Sequence, residues 1–243
     1  MSGGLAFHKR CNVVIVNIIY RAYVDDVNTR WLEWRRMAGP TRRKAAARGY
    51  HHGDLERALV DTALRVIQEE GLDALTLRGV GARLGVSRTA LYRHFDDKEA
   101  LLARVASEGF KRFHDALAKA AADGEKRDND PMPAMAAAYA RFARSHPAHY
   151  QTMFSGVLAG ATCDPELQQH GEAAFNVLLD AIRRGQARGR VRSGDPLELA
   201  ETTWALSHGI ATLAMAKLLP SSSKVDELAV RAWTLLDEGL GRK

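Results

Sequence analysis

Thr76–Lys98 reads TLRGVGARLGVSRTALYRHFDDK, and the spacing of its polar and apolar residues decides the fold. A helix start wants a short side-chain oxygen to accept an orphan backbone N–H. Thr76 supplies one for a short helix over Leu77–Leu84, and Ser87 supplies another for a second helix, predicted over Arg88–Phe95. Between them Gly85-Val86 makes the turn, with glycine where a side chain would be strained. Val80, Leu84, Val86 and Leu91 fall where they pack the pair together, and Phe95 reads as core. Arg88, Thr89, Tyr92, Arg93 and His94 are left as polar reach. This is the layout of a helix-turn-helix, whose second helix lies in the DNA major groove with its first residues against base edges. Gly79 and Gly81 each cost about 1 kcal/mol against alanine in a helix, so tertiary packing must hold that segment.

Working outward, Leu55, Leu59, Thr62, Ala63, Val66 and Ile67 recur at helical spacing and predict a first helix over Asp54–Glu70, capped by Asp54 and ended by Gly71. On the other side, Asp96 and Glu99 fit a capping box. The helix they open carries Leu101, Leu102, Val105, Phe110, Phe113 and Leu117. Asp123–Asp130 reads as a charged loop, and Pro131 and Pro133 open a further helix with Met135, Ala138, Tyr139 and Phe142 inward. Pro147 breaks that helix, and a short one carries Tyr150, Met153 and Phe154. Beyond a loop over Gly156–Pro165, long helices are predicted over Glu166–Arg188, Pro196–Leu218 and Val225–Gly239. Phe175, Leu178, Leu179 and Ile182 face inward on the first of these. The arginines at its end (Arg183, Arg184, Arg188, Arg190, Arg192) read as a solvated face. The expected fold is all-α: an N-terminal three-helix helix-turn-helix domain over 49–98, then a larger helical domain over 99–243 for ligand binding and dimerisation.

Charge supports that division. Residues 37–98 hold 11 Lys/Arg against 8 Asp/Glu, while 99–243 hold 18 of each. The positive excess therefore sits where phosphates are expected. Residues 1–48 are expected to be an extension and basic arm, poorly ordered. Thr41–Arg48 suits either a solvated tail or phosphate and minor-groove contact. Cys11–Tyr20, CNVVIVNIIY, is ten residues long, about half of what a bilayer span needs. It reads as a strand, with no membrane partner. Met37 opens a run that suits a natural start, which would make 1–36 an upstream extension. Cys11 and Cys163 form no disulfide framework, consistent with a cytoplasmic protein.

The central stretch resembles the DNA-binding domain of TetR-family transcriptional regulators. The match runs through Thr76, Val80, Gly81, Leu84, Gly85-Val86-Ser87, Leu91-Tyr92, His94-Phe95, Lys98-Glu99 and Leu101. Trp204-Ala-Leu-Ser-His208-Gly209 and HPAHYQTMF also resemble a subgroup whose C-terminal domain carries a Trp-x-x-x-His-Gly pattern. The resemblance implies a homodimer formed through the last two helices, both apolar on more than one side. It also implies a double-stranded DNA operator as partner and a small-molecule effector in the C-terminal domain.

Expected DNA contacts follow from chemistry and family position together. Arg88 can pair with guanine in two-pronged fashion, and Thr89 and Ala90 can touch thymine methyls. Tyr92 and His94 suit phosphates. Arg78 suits the groove, and Thr76 and Ser87 cap their helices beside the backbone. Lys98 sits in a first helical turn that disfavours cations, which makes sense beside a phosphate; a solvated lysine is the other reading. Arg93 suits either phosphate contact or solvent. Effector-pocket candidates are Tyr139, Phe142, Tyr150, Met153, Phe154, Phe175, Trp204 and His208, though aromatic residues at helical spacing are as readily plain core. Such lining favours an apolar or aromatic effector.

No cofactor or metal is expected. His146, His149, Cys163, His170 and His208 lie in one domain without helical ligand-pair spacing. No G-x-S-x-G, phosphate loop or H-E-x-x-H occurs, which argues against an enzyme. The function expected is a homodimeric repressor released from a palindromic operator by its effector. The alternative is an effector-independent regulator or activator.

Overall fold

The computed structural model describes residues 52–128, 130–155, 158, 164–219 and 224–239. Among them stand nine helices and no strand: α1 His52–Glu70, α2 Leu77–Leu84, α3 Arg88–Tyr92, α4 Lys98–Asp128, α5 Met132–Ser145, α6 Pro147–Met153, α7 Pro165–Ala187, α8 Pro196–Met215 and α9 Val225–Glu238. The N-terminal arm, Met37, the Cys11–Tyr20 run and both cysteines lie outside the described residues.

The second and third helices form as their caps dictate. The Thr76 hydroxyl accepts from Gly79 N–H at 3.0 Å and the Ser87 hydroxyl from Ala90 N–H at 3.2 Å. Gly85 takes φ 72°, the left-handed turn that a side chain disfavours. The two α2 glycines have a packing reason. A Cβ on Gly81 would stand 3.0 Å from Leu91 Cδ2, and one on Gly79 would stand 2.9 Å from the Thr76 cap oxygen. Gly81 thus lets α3 seat Leu91 against α2, at 2 % exposure. Full burial of such a side chain is worth about 1.5–3 kcal/mol, more than the glycine's propensity cost.

Several boundaries differ from the sequence-based expectation. The second reading helix stops at Tyr92, five residues from its start. His94 and Phe95 both donate to the Leu91 carbonyl, closing the turn that carries Phe95 into the core. The next helix is capped not by Asp96 but by Asp97, whose Oδ1 accepts from Ala100 N–H at 2.8 Å. The first helix begins at His52, so Asp54 lies inside it instead of capping it. Asp123–Asp130 is no loop: α4 runs on to Asp128. Lys119–Asp123 pairs along the helix at 2.9 Å, and Glu125 accepts from Arg184 Nε of α7 at 2.9 Å, so the charges support helix. That pairing, with Arg188 3.9 Å from Glu125, also takes two arginines out of the supposed solvated face. The three later helices end at Ala187, Met215 and Glu238. Asp164 caps the first and Asp195 the second, each ahead of a proline at the first helical position.

α4 is the spine of the molecule. α7 lies along it, α5 and α6 pack across it, and α8 and α9 close over α5. Alanine makes the tight stack possible: Ala136, Ala137, Ala138, Ala140 and Ala143 are all buried in α5. Phe113 sits at the centre, edge-on to Tyr139 at 4.9 Å and to Trp204 at 5.9 Å between ring centroids. α1 rests on both α4 and α6, which joins the reading helices to the larger body.

Candidate nucleic-acid interface and interior cavity

The helix-turn-helix presents one polar face. Thr76, Arg78, Ser87, Arg88, Thr89 and Tyr92 are exposed, Tyr92 at 41 %, while Ala90, His94 and Lys98 are half-buried. Leu91 and Phe95 on the same turn are buried, so the helix has one side committed to the core and the other to solvent. Arg78, Arg88 and Arg93 make no ion pair with any described residue. Arg83, one turn along α2, is tied back to Glu69 and Glu70 of α1. Three exposed guanidinium groups in the helix-turn-helix, without an ion pair among the described residues, suit phosphate and base-edge acceptors. Lys98 is placed differently from a free surface lysine: its Nζ donates to the Leu72 carbonyl at 3.4 Å. The bond ties the half-buried side chain to the segment between α1 and α2.

The pocket candidates divide into three groups. Phe142, Met153 and Phe175 are buried in the aromatic core around Phe113 and Trp204, and Phe154 is half-buried against Phe110, Tyr150 and His208. Tyr139, Tyr150 and His208 come together through hydrogen bonds. The Tyr150 hydroxyl lies 2.8 Å and the Tyr139 hydroxyl 3.2 Å from His208 Nδ1. Burial raises both phenol pKa values, Tyr150 to about 12, and pulls His208 below its ordinary value. All three are neutral at physiological pH.

Tyr139 and Trp204 also line a cavity of about 30 Å³ among α4, α5, α7, α8 and α9, room for one or two waters. The rest of its wall is Leu117, Met132, Met135, Ala136, Leu178, Thr203, Leu206, Ser207, Ile210, Ala229 and Trp233. None of these residues stands among the pocket candidates read from the sequence, though Leu117, Met135 and Leu178 are among its inward-facing residues and Leu206 and Ser207 lie in its Trp204–Gly209 pattern. Most are aliphatic residues that any helical core would use. The available signal was the placement of Thr203, Leu206, Ser207 and Ile210 around the Trp204–Gly209 pattern.

Of the histidines weighed as ligands, His170 Nδ1 meets Ser107 Oγ at 2.8 Å, far along the chain from the His208 cluster. His146 and His149 face one another, ring centroids 6.0 Å apart, with His146 Nδ1 and His149 Nε2 buried and unbonded.

Among the described residues, no helix is long and apolar enough to cross a membrane.

Comparison with known proteins gives this geometry its family. Residues 59–105 match the family described as bacterial regulatory proteins, tetR family, and 132–236 match the tetracyclin repressor-like C-terminal domain. The class D tetracycline repressor of Escherichia coli is 40% identical over 58 residues, 24% of this chain and 27% of that protein. The chain thus matches about a quarter of that relative's length. An HTH-type transcriptional regulator of Mycobacterium tuberculosis is 28% identical over 162 residues, covering 67% of this chain and 71% of the relative. A protein of unknown function from Rhodococcus sp. RHA1 superposes with a TM-score of 0.66 at 32% identity, over 81% of this chain and all of that one. With a helix-turn-helix in front and a matching helical domain behind, the chain belongs to the TetR family of bacterial regulatory proteins.

Proposed function

We propose that the chain is a homodimeric repressor that holds a palindromic operator through paired α3 helices and releases it when a small apolar or aromatic effector enters the C-terminal domain. The observation that carries this reading is the set of exposed Arg78, Arg88 and Arg93, without an ion pair among the described residues, beside a capped α3. Arg88, Thr89 and Ala90 read bases. Tyr92, His94 and Lys98 hold phosphates, Arg78 reaches the groove from α2, and Thr76 and Ser87 fix the two helix starts beside the backbone. Residues 49–98 act as the reading head and 99–243 as the regulatory body, in a cytoplasmic protein.

A dimer supports this reading because a two-fold protein meets successive major grooves about 34–36 Å apart. The surface for it is apolar: Leu213 is 43 % and Leu235 51 % exposed, on α8 and α9. The effector side rests on Tyr139, Phe142, Tyr150, Met153, Phe154, Phe175, Trp204 and His208, the polar corner and aromatic shell next to the cavity. An effector-independent regulator is the competing reading, favoured by how small the cavity is as it stands.

The test is binding of the full chain to the DNA flanking its own gene, followed by anisotropy. A single protected near-palindrome, competed away by itself and not by random DNA, supports the proposal. Equal affinity for both sequences defeats it.

A further inference from the structure

The Tyr139–Tyr150–His208 corner leaves one imidazole nitrogen, His208 Nε2, without a partner among the described residues. His208 Nδ1 receives two phenols, Tyr150 at 2.8 Å and Tyr139 at 3.2 Å. Each phenol has a proton to place, and both face the same nitrogen. The simplest allocation has Tyr150 donating to Nδ1 and Tyr139 donating to Nδ1 or to the Tyr150 oxygen. That assigns the ring proton to Nε2, which bonds to no described residue and is not sealed from solvent. On the imidazole the cluster ends in one N–H donor, Nε2, while Tyr150 also meets the exposed Thr212 hydroxyl. Tyr139 belongs at once to this cluster and to the cavity wall.

The surroundings set the charge of what could bind. No Lys or Arg lines the cavity. The nearest basic side chains on α5, Arg141 and Arg144, are engaged by Asp226 at the surface. A carboxylate or phosphate here would be a buried charge without a cationic partner, which is strongly unfavourable. A neutral acceptor is not.

We propose that the Tyr139–Tyr150–His208 corner and the adjoining cavity form one site for an uncharged ligand, an apolar body bearing a single hydrogen-bond acceptor such as a ketone, aldehyde or ester carbonyl. This rests on the reading of the C-terminal domain as an effector site and narrows it to a chemical class. The carbonyl oxygen accepts from His208 Nε2, and the hydrocarbon lies against Trp204 and Leu206. The present cavity is too small for more than water, so binding has to open it. Met132 and Met135, flexible and buried in its wall, are the side chains that yield most easily. That opening is the difference between bound and free states through which a ligand acts on DNA affinity.

The experiment titrates the full chain with a ten-carbon methyl ketone, with decanoate and with decane at about pH 8, where the acid is ionised. Tryptophan fluorescence and thermal stability are read together, since Trp204 and Trp233 line the cavity. The ketone is expected to bind at least about tenfold more tightly than decanoate. His208→Leu should weaken the ketone about tenfold and leave decane unchanged, and His208→Gln, which keeps an N–H donor, should retain most of the affinity. Decanoate binding as well as the ketone overturns the proposal, as does ketone affinity indifferent to His208→Leu. Failure of all three to bind also overturns it. Operator binding by the same sample then decides separately whether the regulator reading stands.

Discussion

Arg104 of α4 reaches Glu56 of α1 with Nε 2.9 Å from Oε1, and its NH1 lies 3.6 Å from Glu166 at the start of α7. One guanidinium thus ties the first helix of the reading head to two helices of the body. The side chains are about two-fifths exposed, so solvent screens the pairing. A double-mutant cycle of Arg104→Ala with Glu56→Ala, read by denaturant unfolding, should give a coupling of about 0.2–1 kcal/mol. A coupling indistinguishable from zero removes this bridge from the account.

Arg88 and Lys98 should separate by what they read. Arg88→Ala is expected to cost about 1–3 kcal/mol on the operator and far less on random DNA, with relaxed preference at one base pair. Lys98→Ala should weaken every sequence alike and shallow the salt dependence by about one unit. Equal losses on operator and random DNA for Arg88→Ala would refute its base-reading role.

Gly124 is a place where alanine should hurt despite its better helix propensity. A Cβ there would stand 2.8 Å from the Pro131 Cα and 3.0 Å from the Asp130 carbonyl oxygen, both backbone atoms. Propensity offers about 1 kcal/mol, and overpacking a tight contact costs about 1–3 kcal/mol. Gly124→Ala should therefore lower stability, visible as a reduced midpoint in urea; a raised midpoint would show that the turn into α5 moves freely.

His149 makes stability depend on pH. Burial lowers its pKa from 6.5 to about 4, with Glu108 and Asp61 raising it and Arg112 and His146 lowering it further. Its Nε2 is buried without a partner. The folded state holds the ring neutral, whereas the unfolded chain binds a proton first as pH falls through about 6.5. This contribution is complete above pH 6.5 and is lost between there and about pH 4, on the order of 3 kcal/mol in all. His149→Leu should shrink the difference in Tm between about pH 7.5 and 5. An unchanged difference would assign the acid sensitivity elsewhere.

The apolar stripes of α8 and α9 should decide assembly. Leu213→Glu with Leu235→Glu introduces charge at two exposed leucines. Sedimentation should show a folded monomer, and operator affinity should fall by more than tenfold because half-site binding replaces two-site binding. Retention of a dimer would place the contact on another surface.

Local chemistry determined the reading head. Thr76, Ser87 and Gly85 act on backbone groups within three or four residues, so their roles were legible in the letters alone. The same holds for Pro196 at the start of α8 and for the inward stripes of α1, α4 and α7. Tertiary structure decided what depends on neighbours distant in sequence. Asp123–Asp128 became helix because Glu125 meets Arg184 and Gly124 admits the Asp130–Pro131 backbone. The second reading helix ended at Tyr92 because Phe95 is drawn into the core. His208 met two tyrosines 58 and 69 residues away, and the cavity took its walls from five helices. Caps and turns are short-range hydrogen bonds that sequence order brings together. A cavity wall is a convergence in space, and no local preference encodes it.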